Sequence, residues 1–185
     1  MVAVSPRIAY DFSGMKEALE IINRMQFDGV IAKYAIGGAV GATLYLEPAA
    51  TLDIDVFVQL PPVPGGPLVS LGPIYEYMKQ HGGKPEGEHV LVGGWPVQFL
   101  PTSNPLEEEA VAAAIQADVE NIPAWIMTAE HLVAIALQTG RSKDHARILQ
   151  FLEQGGIETE KLEGILVRHG LKAKWDKFKA RFLNE

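Results

Sequence analysis

Two aspartates, Asp53 and Asp55, stand one residue apart in the segment TLDIDVFVQL, alternating with apolar residues. In an extended chain successive side chains point to opposite faces. Both carboxylates would then share one face, and Ile54, Val56 and Val58 the other. Carboxylates at that spacing repel, which raises the cost of ionising both. A bound divalent cation removes the cost. Mg²⁺ (or Mn²⁺) suits such a pair, because it is a hard ion, typically held by one or two carboxylates plus substrate phosphates. An edge strand with two solvated aspartates would also satisfy the pattern.

The segment ahead of the pair carries a second feature. Gly37-Gly38 follows a strand-like stretch, VIAKYAI, and precedes a helix-like one, AVGATLYL, which Glu47-Pro48 stops. Glycine lets the backbone approach a phosphate closely, and a helix start offers unpaired N–H groups to it. Neither the glycine pair nor Asp-x-Asp is specific alone. Their order, a glycine turn, a short helix and an acidic strand, brings a triphosphate cradle to a metal site. Farther along, Arg141 and Lys143 fall at a helix start. Lys143 offers a point charge to β- and γ-phosphates, and Arg141 a forked contact. An ion pair with Asp144 or Glu130 is the competing role for both.

These residues need elements to position them. Met15, Ala18, Leu19, Ile22 and Met25 recur at helical spacing, and Asp28-Gly29 ends that helix. PPVPGGP reads as a loop, and a helix is expected from about Pro73. EHVLVGG and WPVQFLP form a hairpin around Gly93-Gly94. Pro105 starts a helix with Glu107, Glu108 and Glu109 in its first turn, where negative charge is favoured. It is expected to continue through the Ala-rich AVAAAIQA. VENIPAWIM reads as a strand. From Thr128, an expected N-cap, the chain turns helical in four segments. Strands in the middle and helices at the end predict an α/β (α+β) fold, with a core over residues 1–127 and a helical part over 128–185.

With 185 residues, 48% of them hydrophobic, the chain can bury a sizeable core. It has no cysteine, which removes disulfides, thiolate zinc sites and cysteine nucleophiles. A net charge of −7 argues against broad nonspecific nucleic-acid binding. Basic groups nevertheless gather in RHGLKAKWDKFKARF near the C-terminus, as a face for a polyanion or a solvated helix surface. The five histidines show no metal-like spacing, and HGGKPEGE lacks the arrangement of a P-loop. No leader pattern opens the sequence, and no apolar run approaches the roughly 20 residues that span a bilayer. The sequence reads as cytoplasmic, with no membrane partner.

Ile36, Gly37, Gly38, Asp53 and Asp55 resemble the signature of the DNA polymerase β-like nucleotidyltransferase superfamily, an apolar residue and a glycine pair followed by Asp-x-Asp in a strand. Glu130, Gly140, Arg141, Lys143 and Asp144 are similar to the corresponding helices of AbiEii-type toxin nucleotidyltransferases. The resemblance implies a small mixed β-sheet flanked by helices and followed by a C-terminal helical bundle. It implies a Mg-dependent enzyme that moves a nucleotidyl group from an NTP to an RNA (tRNA) or protein acceptor, with an antitoxin protein as partner. Asp53 and Asp55 would hold the metal. Gly37, Gly38, Thr51 and Arg141 would bind nucleotide, and Lys143 would steady the phosphates. Asp144 would either stand in for a third carboxylate or orient Lys143. Such proteins commonly carry that third carboxylate on a later core strand. Here the best strand, WPVQFLP, offers Gln98, and Ala49-Ala50 precede Thr51 where an arginine is common. These departures carry a second expectation, a module of the same fold that binds a nucleotide or a partner without turnover. Gln98 is expected beside Asp53 and Asp55, facing their cleft, with Val97 and Phe99 on the apolar side.

Overall fold

The computed structural model describes residues 13–47, 53–62, 70–154 and 156–183. The opening helical periodicity becomes α1 (Ser13–Phe27), which buries Met15, Ala18, Leu19, Ile22 and Met25. β1 (Lys33–Ile36) leads through Gly37 into a five-residue helix, α2 (Gly38–Ala42). β2 (Ile54–Gln59) and α3 (Gly72–Gln80) precede three strands, β3 (Lys84–Glu86), β4 (His89–Val92) and β5 (Trp95–Pro101). α4 (Pro105–Ala112) starts behind Asn104, whose side chain accepts from the N–H groups of Leu106 and Glu107, both at 3.1 Å. β6 (Ile115–Val119) and β7 (Ile122–Ile126) make a hairpin. Four helices close the chain: α5 (Ala129–Thr139), α6 (Ser142–Gln154), α7 (Thr159–Arg168) and α8 (Lys172–Phe182). Thr128 caps α5 as expected, its Oγ1 accepting from the His131 N–H.

The strands form one mixed sheet in the order β3-β4-β5-β2-β1-β7-β6. β2 runs antiparallel to β1 and parallel to β5. Strand alternation divides the sheet into two faces. Ile54, Val56 and Val58 join Tyr34, Ile36, Val97 and Phe99 in a core beneath α1 and α3. Ala35, Phe57 and Leu100 look the other way, into a core shared with α4 to α8. Ile54, Val56 and Val58 are fully buried, and each such side chain stabilises the fold by about 1.5–3 kcal/mol. A register slip of one residue would bury Asp55 in their place, so the hydrophobic pattern is what holds the aspartates on the helix-bundle face.

Two strands depart from the sequence pattern. AVAAAIQA does not run on as helix: α4 ends at Ala112, and Ile115–Val119 pairs antiparallel with β7. Alanine favours helix locally, but the hairpin wins through tertiary pairing. Its turn is Glu120-Asn121, with φ of 52° and 62°, a left-handed pair whose twist matches that of the flanking strands. β3 is short and exposed and contains Pro85, which suits only a sheet edge. No helix among the described residues is long and apolar enough to cross a membrane.

Candidate active site

The glycine turn is tied directly to the acidic strand. The Gly37 N–H donates to the Asp55 carbonyl at 2.9 Å. Gly38 takes a left-handed φ of 57°, and a Cβ there would overlap the Asp55 carboxylate. A Cβ on Gly37 would meet the Phe57 ring at 2.7 Å. Close approach of the start of α2 to β2 therefore requires both glycines. Asp53 and Asp55 face a cleft of about 700 Å³. Gln98 pairs in register with Asp55 and lines the same cleft, while Val97 and Phe99 are buried in the apolar core, as the strand alternation requires.

The opposite wall is the start of α6. Lys143 and Arg147 lie one helical turn apart and both line the cleft. Lys143 is exposed and makes no hydrogen bond or salt bridge among the described residues. Burial, and then the charge of Asp53, push the Asp55 carboxyl above its ordinary value; Arg147, Lys143 and Arg141 oppose that rise, in this order. A partly buried carboxylate pair with cations across a cleft fits a hard divalent ion bound together with an anionic ligand. Among the described residues no group of three or more His, Cys, Asp or Glu side chains gathers around a common metal position.

Asp144 is 1% exposed and already engaged. Its carboxylate accepts from Arg141 Nε at 2.7 Å, from Arg141 Nη2 at 3.1 Å and from the Arg141 backbone N–H at 3.2 Å, and Arg147 Nη1 lies 4.0 Å away. Burial works against this charge, but the Arg141 hydrogen bonds and charge outweigh it and hold the Asp144 carboxyl below the ordinary range. Of the two roles left open for Asp144, this geometry favours orientation, with arginine rather than Lys143 as the group oriented.

No family model matches the chain, and no curated protein matches it. Solved structures do resemble it. The antibiotic-resistance factor ANT(2'')-Ia in solution superposes with a TM-score of 0.50 at 14% identity, over 92% of this chain and 98% of that one. ANT(2'')-Ia in complex with adenylyl-2''-tobramycin gives 0.51 at 15%, over 87% and 99%. An antigenic nucleotidyltransferase-like protein from Paracoccidioides brasiliensis gives 0.52 at 13%, over 89% and 91%. The chain has the nucleotidyltransferase fold. At these identities the likeness is one of architecture.

Within that nucleotidyltransferase fold, the sequence-selected residues Gly38, Asp53, Asp55, Arg141, Lys143 and Asp144 meet at one cleft. Gly37 stands behind it as the hinge of the turn. Thr51 lies outside the described residues. Glu130 braces the start of α7, its Oε1 accepting from the Glu158 N–H at 2.9 Å. Three residues were not singled out from the sequence: Arg147, which lines the cleft, and Glu88 and His89, which contact residues that line it. Arg147 was detectable as the residue four after Lys143. Glu88 and His89 carried no local signal. Glu88 sits in the β3–β4 turn and His89 opens β4; His89 Nε2 lies 3.7 Å from Asp53 Oδ2, and the Gln98 amide donates to Glu88 Oε2 at 3.4 Å.

Proposed function

We propose that the chain moves a nucleotidyl group from an NTP to an acceptor hydroxyl, with pyrophosphate leaving. The observation that carries this reading is the pairing of walls in one cleft. Asp53, Asp55 and the Gly37-Gly38 turn stand on one side, and Arg141, Lys143 and Arg147 on the other. Mg²⁺ (or Mn²⁺), held by Asp53 and Asp55, would neutralise charge on the triphosphate. Lys143 and Arg147 face the phosphates as cations, and the Asp144 carboxylate fixes the fork of Arg141. The Gly37 N–H is spent on Asp55, so backbone contact with phosphate falls to the start of α2 beyond it. Holding donor and acceptor in line supplies much of the rate. In this reading residues 1–127 carry the metal ligands and 128–185 the phosphate-binding cations, and the protein works in the cytoplasm.

The family resemblance supports an RNA (tRNA) or protein acceptor and a toxin restrained by an antitoxin partner. The adenylyl-tobramycin complex of a fold neighbour adds an aminosugar hydroxyl to the acceptors worth testing. Two lysines of the basic segment serve helix packing: Lys172 pairs with Glu163 at 2.6 Å and Asp176 at 3.3 Å, and Lys174 Nζ donates to the Gln138 carbonyl at 2.7 Å. The test is incubation with α-labelled NTPs, Mg²⁺ and total tRNA, bulk protein or tobramycin in parallel. Label transfer with pyrophosphate release, lost in Asp53→Asn/Asp55→Asn, is the expected result. A chain that neither binds Mg·NTP nor transfers label would overturn the proposal. A second reading, nucleotide binding without turnover, draws on the neutral Gln98 in register with Asp55. Mg·NTP binding with no transfer to any acceptor would favour it.

A further inference from the structure

The cleft is polarised. Its cations, Arg141, Lys143 and Arg147, all belong to the α6 side. Beyond β2 in the other direction come β5 and β4, and Val90 opposite Val97 places His89 beside Gln98, which is itself beside Asp55. If the triphosphate lies against α6, the acceptor hydroxyl approaches from the β4–β5 side. That hydroxyl has to lose a proton as it attacks.

Most cleft carboxylates are committed elsewhere. Asp53 and Asp55 are assigned to the metal, and Asp144 to Arg141. Glu107 Oε2 accepts from the Ser103 N–H at 2.7 Å and its hydroxyl at 2.9 Å. Glu47 follows α2, where its backbone N–H is held by Gln154 of α6, so it lies on the donor side. Glu88 lies on the acceptor side. It follows the turn residue Gly87, with φ of 60°, and the amide of Gln98, which itself lines the cleft, donates to its Oε2 at 3.4 Å. A carboxylate that accepts one hydrogen bond from an amide has further lone pairs for another donor.

We propose that Glu88, held by Gln98, accepts the proton of the acceptor hydroxyl. The inference rests on the transfer reading above and assigns a group within it. As the acceptor oxygen bonds to the α-phosphorus, its proton passes to the Glu88 carboxylate. The bond from the α-phosphorus to the bridging oxygen breaks, and pyrophosphate leaves with the electron pair. Glu88 is exposed and returns the proton to water, which restores the starting state.

The test compares wild type, Glu88→Gln, Gln98→Asp and the double variant. Pyrophosphate release from the four NTPs is measured with Mg²⁺ and total tRNA, alongside the Mg·NTP-induced rise in melting temperature. Glu88→Gln should lower kcat on the order of 10²–10⁴-fold, the usual contribution of a positioned base. Its KM for NTP and its thermal response should stay at wild-type values. In the double variant a carboxylate returns to the neighbouring strand, and part of the lost kcat should return with it. A merely structural Glu88 predicts full activity for Glu88→Gln, because the amide can still pair with Gln98; that result overturns the proposal. Wild type that binds Mg·NTP yet releases no pyrophosphate overturns it too, and leaves the binding reading standing. Wild type that binds no Mg·NTP fells the transfer reading itself.

Discussion

Replacing Gly38 by alanine separates backbone strain from damage to the site, with Gly29→Ala as its control. Both glycines have positive φ, 57° and 76°, so alanine at either pays the left-handed cost of roughly 1–2 kcal/mol. Around Gly29 a Cβ meets nothing within 4 Å, so strain is the whole penalty there. At Gly38 the same Cβ overlaps the Asp55 carboxylate, and either α2 or Asp55 has to move. A chain of this size loses about 2–4 °C of melting temperature per kcal/mol, so Gly29→Ala should fall by about 2–8 °C and Gly38→Ala by more. Mg·NTP at a hundredfold excess over its Kd stabilises by about 2.7 kcal/mol, or roughly 5–11 °C. Thermal melts with and without Mg·NTP read both effects. Gly29→Ala should keep the full ligand-induced rise, and Gly38→Ala should lose most of it. A Gly38→Ala protein with an undiminished rise would refute the claim that this close approach sets the Asp55 carboxylate in place.

Further outcomes follow from the charges. Asp53→Asn with Asp55→Asn should abolish the Mg²⁺ response in the same melts, yet be no less stable without metal, since two repelling carboxylates have gone; an unchanged response excludes the metal site. Asp144→Asn should raise KM for NTP through a loosened Arg141, and cost about 1–3 kcal/mol in urea unfolding, because a buried charge-assisted network is broken; an unchanged KM separates Asp144 from nucleotide binding. Glu109 on α4 joins Arg168 Nη2 at 2.6 Å, His169 Nε2 at 2.6 Å and His131 Nε2 at 3.3 Å. The Arg168 hydrogen bond, followed by those of His169 and His131, outweighs its burial and draws its carboxyl from an ordinary 4.5 down to about 2. A depressed folded-state pKa means stability that is present above pH 4.5 and lost as pH falls towards 2. The urea midpoint of wild type should therefore drop across that window, and its advantage over Glu109→Gln should shrink; a constant advantage would refute the linkage.

What was legible in the sequence is what local physics decides. The alternation of Asp53 and Asp55 with Ile54, Val56 and Val58 carried both the strand and its two faces, because one face must be buried. The glycine pair was legible because only glycine tolerates the left-handed φ and Asp55 contact of Gly38 and the approach of Gly37 to the Phe57 ring. Gln98 fell where alternation along WPVQFLP put it, since that rule needs only the register with β2. β6 was hidden because alanine-rich residues favour helix until a hairpin partner is present, and Glu120-Asn121 is an unusual left-handed turn. The role of Asp144, third carboxylate or orienting group, stayed open because sequence shows the neighbouring arginine but not the burial that commits the two to each other.

Glu88 and His89 mark a different limit. Nothing about a glutamate and a histidine after a glycine is unusual, and their meaning comes from sheet order. β4 lies two strands from β2, and that placement depends on β5 pairing parallel with β2 after the crossover through α3 and the β3–β4 hairpin. A candidate donor side built on local motifs, and an acceptor side built by strand order, is what a cleft beside a central strand produces. In the proposed reading the donor side would repeat one chemical task, holding phosphate and metal, so its residues cluster in short segments. The acceptor side would meet whatever hydroxyl the protein serves, and the fold can supply its groups from any neighbouring strand or turn. The swap of Glu88→Gln with Gln98→Asp tests that freedom directly, since the Gln98 amide on β5 donates to Glu88 in the turn between β3 and β4.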